Sequence, residues 1–250
     1  MHVRAIAIIP ARYASTRLPG KALASLDGRP MIRHVAERTC QARSIAHVIV
    51  ATDDERIASA VAGSGAEVVM TRADHPTGTD RLAEVAERLD ADVIVNVQGD
   101  LPLLDPSMID RLVRRMEDDP ALPMATLAAP IHDEEAWRSP HVVKVVCDTH
   151  DRALYFSRSP LPHHRDGVRP GVPLGWRHIG MYAYRRAVLL ELAALVPTPL
   201  EASERLEQLR ALEHGIAIGV EPWTAAEPVI EVDVVEDLER ARAALSGRTA

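Results

Sequence analysis

Residues 8–21 read IIPARYASTRLPGK, an apolar run that breaks into a loop carrying Arg12, Ser15, Thr16, Arg17 and Lys21. Guanidinium, ammonium and hydroxyl donors at this density can hold an anion through charge-assisted hydrogen bonds, with backbone N–H groups adding to them. A GxxxxGK[ST] phosphate loop is excluded, because Ala22 follows Lys21. The competing reading is a solvated basic loop. In a second stretch, VNVQGD (95–100), an apolar run stops at Gln98, Gly99 and Asp100, and a second acid, Asp233, follows the short run VIEV late in the chain. Two such acids beside a basic loop suit a hard divalent cation such as Mg²⁺, which takes one or two protein carboxylates and completes its shell with phosphate oxygens. Either acid alone could equally be a turn residue. Third, in TRADHPTGTDRLAE (71–84) Thr77, Gly78 and Thr79 precede a helical window starting near Asp80. Amides at that helix start could bind an anion or a base carbonyl, and capping by Thr79 is the simpler alternative.

These groups must be positioned by elements legible in the hydrophobic pattern. Apolar runs at 3–9, 47–52, 67–70, 92–97 and 123–129 alternate with amphipathic helical windows, which predicts an α/β fold: a mostly parallel, doubly wound (Rossmann-like) nucleotide-binding sheet. The basic loop and Asp100 then lie beyond the carboxyl edge, where open α/β sheets bind ligands. Pro30 is read as a first-turn residue of a helix over 30–43, and Asp105-Pro106 as cap and first residue of a helix over 106–118. After residue 130 the rhythm changes to runs at 142–148, 153–159 and 178–184 around a Pro/Gly/His-rich loop, predicting antiparallel strands in a smaller β-rich subdomain. Helices are expected at 185–195, 200–214 and 235–246, and strands at 216–221 and 229–233. The expected division is a core of 1–130 plus 215–250, with 131–214 forming the acceptor-binding and dimerisation subdomain.

Composition narrows the function classes. With 47% apolar and 26% charged residues the 250-residue chain can bury a sizeable core, and 3% aromatics means that core is largely aliphatic. A formal charge of −7 argues against a nucleic-acid binder. No apolar stretch is long enough to span a membrane, the first ten residues do not suit a signal peptide, and Cys40 and Cys147 lack metal or disulfide spacing, so a cytoplasmic setting is expected. GSGAEV (63–68) follows a helix rather than the first strand and reads as a helix-ending turn. His163-His164 reads as solvated loop, and no GxSxG nucleophile motif occurs.

PARYASTRLPGK (10–21), ATDD (51–54), TRADHPTGTDRLAE, VNVQGD, VKVV (143–146), ALYFSRSPLP (153–162), RHIGMYAYR (177–185), LEQLR (206–210) and EDLERAR (236–242) together resemble, in order and over nearly the whole chain, the 3-deoxy-manno-octulosonate (Kdo) cytidylyltransferase, or CMP-Kdo synthetase, family. The resemblance implies a Mg²⁺-dependent transfer from CTP to a 3-deoxy-2-ulosonic acid in a homodimer. It implies that Arg12 and Lys21 grip the CTP phosphates, Asp100 and Asp233 hold the metal, and Ala11, Arg72 and Gly78 frame the cytosine. For the sugar acid it points to Gln98, Arg158, His178, Tyr182, Glu207 and Gln208. His178 as a satisfied core histidine, Tyr182 as a sheet residue, and Glu207 and Gln208 as solvent-exposed helix residues are the plainer alternatives. Two departures stand out: QGDLP places Leu101 where the family commonly has an acid, and IEVDVVEDL replaces the usual VDTPEDL. Alternative activities are a cytidylyltransferase for another acidic sugar, sialic-type or amino-modified, and a non-catalytic nucleotide-binding homologue.

Overall fold

Strict two-residue alternation in the first strand sets up a two-sided core. In β1 (Ala5–Ala11), Ala5, Ala7, Ile9 and Ala11 face one hydrophobic cluster while Ile6 and Ile8 face another. A strand buried on both faces belongs inside a helix-covered parallel sheet. The computed structural model describes residues 3–14, 18–169, 171–224 and 229–247. Ser15, Thr16 and Arg17 of the basic loop therefore lie outside the described residues.

In chain order the elements after β1 are a 3₁₀ turn (Lys21–Leu23), β2 (Ser25–Leu26), β3 (Arg29–Pro30), α1 (Met31–Thr39), β4 (Ile45–Thr52), α2 (Glu55–Val61), β5 (Glu67–Met70), α3 (Gly78–Ala86), β6 (Val93–Asn96) and α4 (Pro106–Asp118). There follow β7 (Met124–Ile131), α5 (Glu134–Arg138), β8 (Lys144–Cys147), β9 (Ala153–Ser157), β10 (Gly175–Arg185), α6 (Arg186–Ala194), α7 (Pro199–Glu204), α8 (Gln208–Glu213), β11 (Ile218–Pro222) and α9 (Val235–Leu245). The main sheet has the order β11-β7-β10-β6-β1-β4-β5. All neighbours are parallel except β10, which runs antiparallel to both β6 and β7. One cluster packs α1, α2 and α4 against one face; the other packs α3, α6 and α8 against the opposite face.

The antiparallel part consists of β8, β9 and the start of β10. Because β10 continues into the middle of the main sheet, the two parts share a strand, and the boundary expected at 131 does not separate two sheets. Between Ile179 and Tyr182 the β10 register shifts against β7, and the Thr126 hydroxyl lies within hydrogen-bond reach of the Ile179 and Met181 carbonyls there.

Several expected elements differ. Pro30 is the N-cap of α1 and not its first-turn residue, and α1 ends at Thr39 instead of 43. The helix expected over 200–214 is split: Arg205 adopts φ 53, ending α7, and α8 restarts at Gln208. The strand expected over 229–233 does not form. This segment instead crosses the sheet edge, where the Val232 N–H donates to the Asp100 carbonyl at 2.9 Å. Val232 packs with Leu26, Met31, Leu238 and Ala241, and Arg242 donates to the Ser25 carbonyl, so α9 is clamped over the β2–β3 hairpin. The helix over 106–118 forms as expected, with Asp105 capping through the Ser107 N–H. Among the described residues no helix is long and apolar enough to cross a membrane.

Candidate active site

Three residues distant in sequence meet at the carboxyl edge of the sheet. The Lys21 Nζ donates to Asp100 Oδ2 at 2.8 Å and to Asp233 Oδ1 at 3.2 Å. Each is delivered by a different element. Lys21 opens the 3₁₀ turn behind Gly20, whose φ of 67 lies in the left-handed region. Asp100 ends the segment after β6, where Gly99 allows a close pass over β1: a Cβ at Gly99 would lie 3.2 Å from the Pro10 carbonyl oxygen. Asp233 is brought in by the Val232 bond to Asp100 and the clamp of α9. Burial of Lys21 works to lower its pKa, but Asp100 and then Asp233 outweigh it, so the ammonium is held above its usual range.

The two carboxylates thus converge on one position of positive charge. They offer oxygen ligands only, and among the described residues no group of three His, Cys, Asp or Glu side chains could hold a metal. Two carboxylates, with phosphate oxygens and water supplying the rest, is the donor set that suits Mg²⁺.

A cavity of ≈ 300 Å³ opens beside this cluster, lined by Ala11, Arg12, Lys21, His75, Gly78, Arg81, Gln98, Asp100 and Asp233 among others. Its far wall is the start of α3. The cap there is Thr77, not Thr79: Thr77 accepts from the Asp80 N–H, and Asp80 accepts from the Thr77 N–H in return. The Thr77 hydroxyl also reaches Glu207 Oε1 at 3.3 Å. Arg72 does not line this cavity; its side chain is 69% exposed, 3.7 Å from Asp74 and 3.9 Å from Glu84. Buried Arg81 lines it instead, held by Asp53 at 3.2 Å and by the Thr71 hydroxyl. Arg81 was not anticipated, although ATDD and GTDR were among the motifs that carried the family resemblance.

A second cavity, of ≈ 320 Å³, adjoins the first and shares Gly78, Gln98, Asp100 and Asp233 with it. Of the residues expected to hold a sugar acid, Gln98, His178, Tyr182, Glu207 and Gln208 line it. Arg158 does not. Its Nε donates to the Glu204 carbonyl at 2.9 Å and its Nη1 to the Pro140 carbonyl at 2.9 Å. Burial, with a smaller contribution from Arg177, pushes the His178 pKa down to about 3, so the ring is neutral near pH 7. Its Nε2 sits 3.0 Å from the Thr126 hydroxyl. Burial likewise drives the Tyr182 and Tyr184 hydroxyls well above their usual range. The Glu207 carboxyl is raised by burial, against the hydrogen bond from Thr79 and the charge of Arg210.

Two further lining residues escaped the sequence reading, Arg177 and Glu231. The Glu231 carboxyl is raised by burial, opposed by Arg177 and reinforced by Asp100 and Asp233. Leu101, at the position where an acid was expected, is fully buried in the core and lines neither cavity. The extra acid near the Asp100–Asp233 pair is therefore Glu231, contributed by the crossing segment. Its short β-branched run, Val229, Ile230 and Val232, reads as a strand in the sequence, and no local pattern there shows that it crosses toward Asp100 instead.

A protein-family model described as cytidylyltransferase matches residues 6–218. The chain is 54% identical over 247 residues to the 3-deoxy-manno-octulosonate cytidylyltransferase of Syntrophotalea carbinolica, covering 96% of this chain and 98% of the relative. It is 53% identical over 242 residues to the protein of the same name from Geobacter sulfurreducens, covering 94% and 96%. A solved CMP:2-keto-3-deoxy-manno-octonic acid synthetase complexed with CTP superposes with a TM-score of 0.91 at 45% identity, covering 98% of this chain and all of that one. A 4-diphosphocytidyl-2C-methyl-D-erythritol synthase from Anaerococcus prevotii, at 14% identity and a TM-score of 0.64, shares the fold. With relatives above half identity along nearly the whole chain, this protein belongs to the 3-deoxy-manno-octulosonate cytidylyltransferase family.

Proposed function

We propose that the protein activates 3-deoxy-D-manno-octulosonate with CTP, giving CMP-Kdo and pyrophosphate, with Mg²⁺ as cofactor. The observation that carries this reading is the pair of adjoining cavities whose common wall holds Gln98, Asp100 and Asp233, with Lys21 bridging the two acids. A nucleoside triphosphate and a sugar acid bound in the two cavities would meet at that wall. The anomeric hydroxyl oxygen bonds to the α-phosphorus, the bond from that phosphorus to the β-phosphate bridging oxygen breaks, pyrophosphate leaves and the hydroxyl proton is released. Such a transfer depends on in-line positioning and on neutralising phosphate charge.

Arg12 and Lys21 supply positive charge to the triphosphate, and the start of α3 around Gly78 with Ala11 forms the wall for the base. Asp100 and Asp233 would hold Mg²⁺. When bound, the metal supplies Lewis-acid neutralisation of the phosphate oxygens. On the acceptor side, neutral His178, the Tyr182 hydroxyl, Gln98, Glu207 and Gln208 offer donors and acceptors for sugar hydroxyls. The same reading includes a cytoplasmic setting, where CTP is available, and a homodimer. Pairing through the antiparallel region is supported by β9, which among the described residues pairs along its length only with β8 and presents Leu154 at 62% exposure.

Pyrophosphate release measured with CTP, Mg²⁺ and a panel of sugar acids tests the proposal. Kdo should turn over at least tenfold more efficiently than sialic-type acids. CTP binding without turnover of any ulosonic acid would reject it.

A further inference from the structure

The acceptor cavity is rich in acid. Asp100, Asp233, Glu207 and Glu231 all line it, and an acceptor that is itself a carboxylate must enter against that field. A fixed cation facing the acceptor's carboxylate offsets that field. Among the described lining residues, Arg177 is the one Lys or Arg present. Of the two lining histidines, His178 is buried at 8% exposure with its Nε2 against the Thr126 hydroxyl, and His141 is exposed; Arg177 is the lining side chain with a permanent charge.

The two arginines of this region differ in what they have left to give. Arg158 spends its Nε and Nη1 on the carbonyls of Glu204 and Pro140. Arg177 makes no side-chain hydrogen bond among the described residues; its nearest partner is Glu231, with Nη2 3.9 Å from Oε1, beyond hydrogen-bond length. Glu231 and, from the shifted stretch of β10, Gly180 line the same cavity wall as Arg177. A planar guanidinium restrained by one distant carboxylate, with its remaining N–H groups uncommitted, can engage a carboxylate with two parallel bonds.

We propose that Arg177 binds the carboxylate of the sugar acid and that Glu231 is its positioning residue, holding the guanidinium at the cavity wall. The inference rests on the proposed sugar-acid activation and assigns the group that recognises the acid function. Arg177 is thereby the residue that separates ulosonic acids from neutral sugars at this site. Glu231 contributes in two ways. It keeps the guanidinium from folding onto Asp100 or Asp233, and it repels an acceptor entering with its carboxylate reversed.

The test uses the full chain with CTP and Mg²⁺, comparing a sugar acid with its neutral C1 amide as acceptors. In R177A the KM for the acid should rise roughly 10- to 100-fold, the loss of one charge-assisted bidentate contact. The KM for the amide and the Kd for CTP should stay within about twofold. R177K should fall between, because it keeps the charge and loses the fork. E231Q should raise the KM for the acid by about 3- to 10-fold with little change in kcat. The proposal is overturned if R177A leaves the acid's KM within about twofold of the unsubstituted protein, or raises the KM for acid and amide equally. If R177A does not fold, R177K and E231Q carry the same comparison. Absence of turnover by the unsubstituted protein would reject the parent reading and this one with it, an outcome distinct from normal turnover that ignores Arg177.

Discussion

Lys21 and Asp100, 79 residues apart, form a 2.8 Å ion pair at the wall common to both cavities, and Asp233 joins it at 3.2 Å on the same ammonium. The side chains of Lys21 and Asp100 are 19% and 24% exposed, so the pair is shielded without being sealed. Such a bridge holds the two carboxylates together, and under the proposed function it also presents a cation to the triphosphate.

Removing the ammonium should therefore harm nucleotide binding more than folding. Lys21→Ala leaves two carboxylates facing each other at the phosphate site, and CTP affinity should fall about 10- to 100-fold, as expected for one charge-assisted contact. Asp100→Asn should cut kcat by about 10²-fold or more, the scale of losing one preorganised electrostatic contact. Calorimetry with CTP and steady-state turnover read the two effects. Unchanged CTP affinity in the lysine variant would remove Lys21 from the triphosphate.

Gly20 shapes the approach of that lysine. Its φ of 67 is unfavourable for side-chain-bearing residues, and a Cβ there would lie 3.3 Å from the Tyr13 ring, which is itself covered by the Arg56 guanidinium 3.5 Å from its centroid. Gly20→Ala should cost about 1 kcal/mol of stability and should weaken CTP binding further by displacing Lys21. Urea denaturation and a CTP titration on the same variant check both parts; a variant as stable and as tight as the parent would show that the loop tolerates another conformation.

His178 makes a pH prediction with a definite sign. Its pKa is about 3 in the folded protein against an ordinary 6.5, because burial disfavours the imidazolium and Arg177 adds to that. Between those values the unfolded chain binds a proton that the folded one refuses. Stability is consequently unaffected by this group above about pH 6.5 and is lost as pH falls toward 3, by up to about 1.4 kcal/mol per pH unit. His178→Gln should flatten the acid side of the stability profile measured by denaturant titration at pH 7, 6 and 5. An unaltered slope in that variant would mean the histidine is protonated within the fold.

Lys144 is fully buried, yet it is not placed to touch substrate. Its ammonium donates to the carbonyls of Ser139 at 2.8 Å, Val142 at 2.6 Å and Arg158 at 2.6 Å, so all three N–H groups are used. It knits the turn carrying His141 and Val142 of the cavity wall to the end of β9. Lys144→Met should destabilise the protein by about 2 kcal/mol, since three partly buried carbonyls lose their donor. It should also raise the acceptor's KM while leaving CTP affinity unchanged. A loss of CTP affinity equal to the loss of acceptor affinity would argue for general collapse instead.

How much was legible beforehand varied with how local the causes are. The helix over 106–118 and its Asp105 cap were readable, since cap, Pro at the first position and apolar stripe lie within one short window. So was the basic loop beyond β1, because strand ends and charge are both visible in order along the chain. The split between α7 and α8 was not: periodicity runs through 200–214, and only the left-handed Arg205 breaks it. The same applies to Arg158. A planar fork in a motif of the right family looks fit to bind a carboxylate, and nothing in the linear chain tells that the carbonyls of Glu204 and Pro140 take its donors.

The linear chain alone therefore settled the class of sheet, the family, and the chemical kinds of group at the site, because each follows from residue type and short-range spacing. Convergence was decided in three dimensions. Lys21, Asp100 and Asp233 become one cluster only when α9 packs over the β2–β3 hairpin and Val232 bonds across to Asp100. Which arginine lines the second cavity was decided the same way, by the passage of β10 through the middle of the sheet and by the carbonyls that take up the Arg158 guanidinium. Long-range burial and hydrogen-bond competition are properties of the assembled fold, and no window of the sequence contains them.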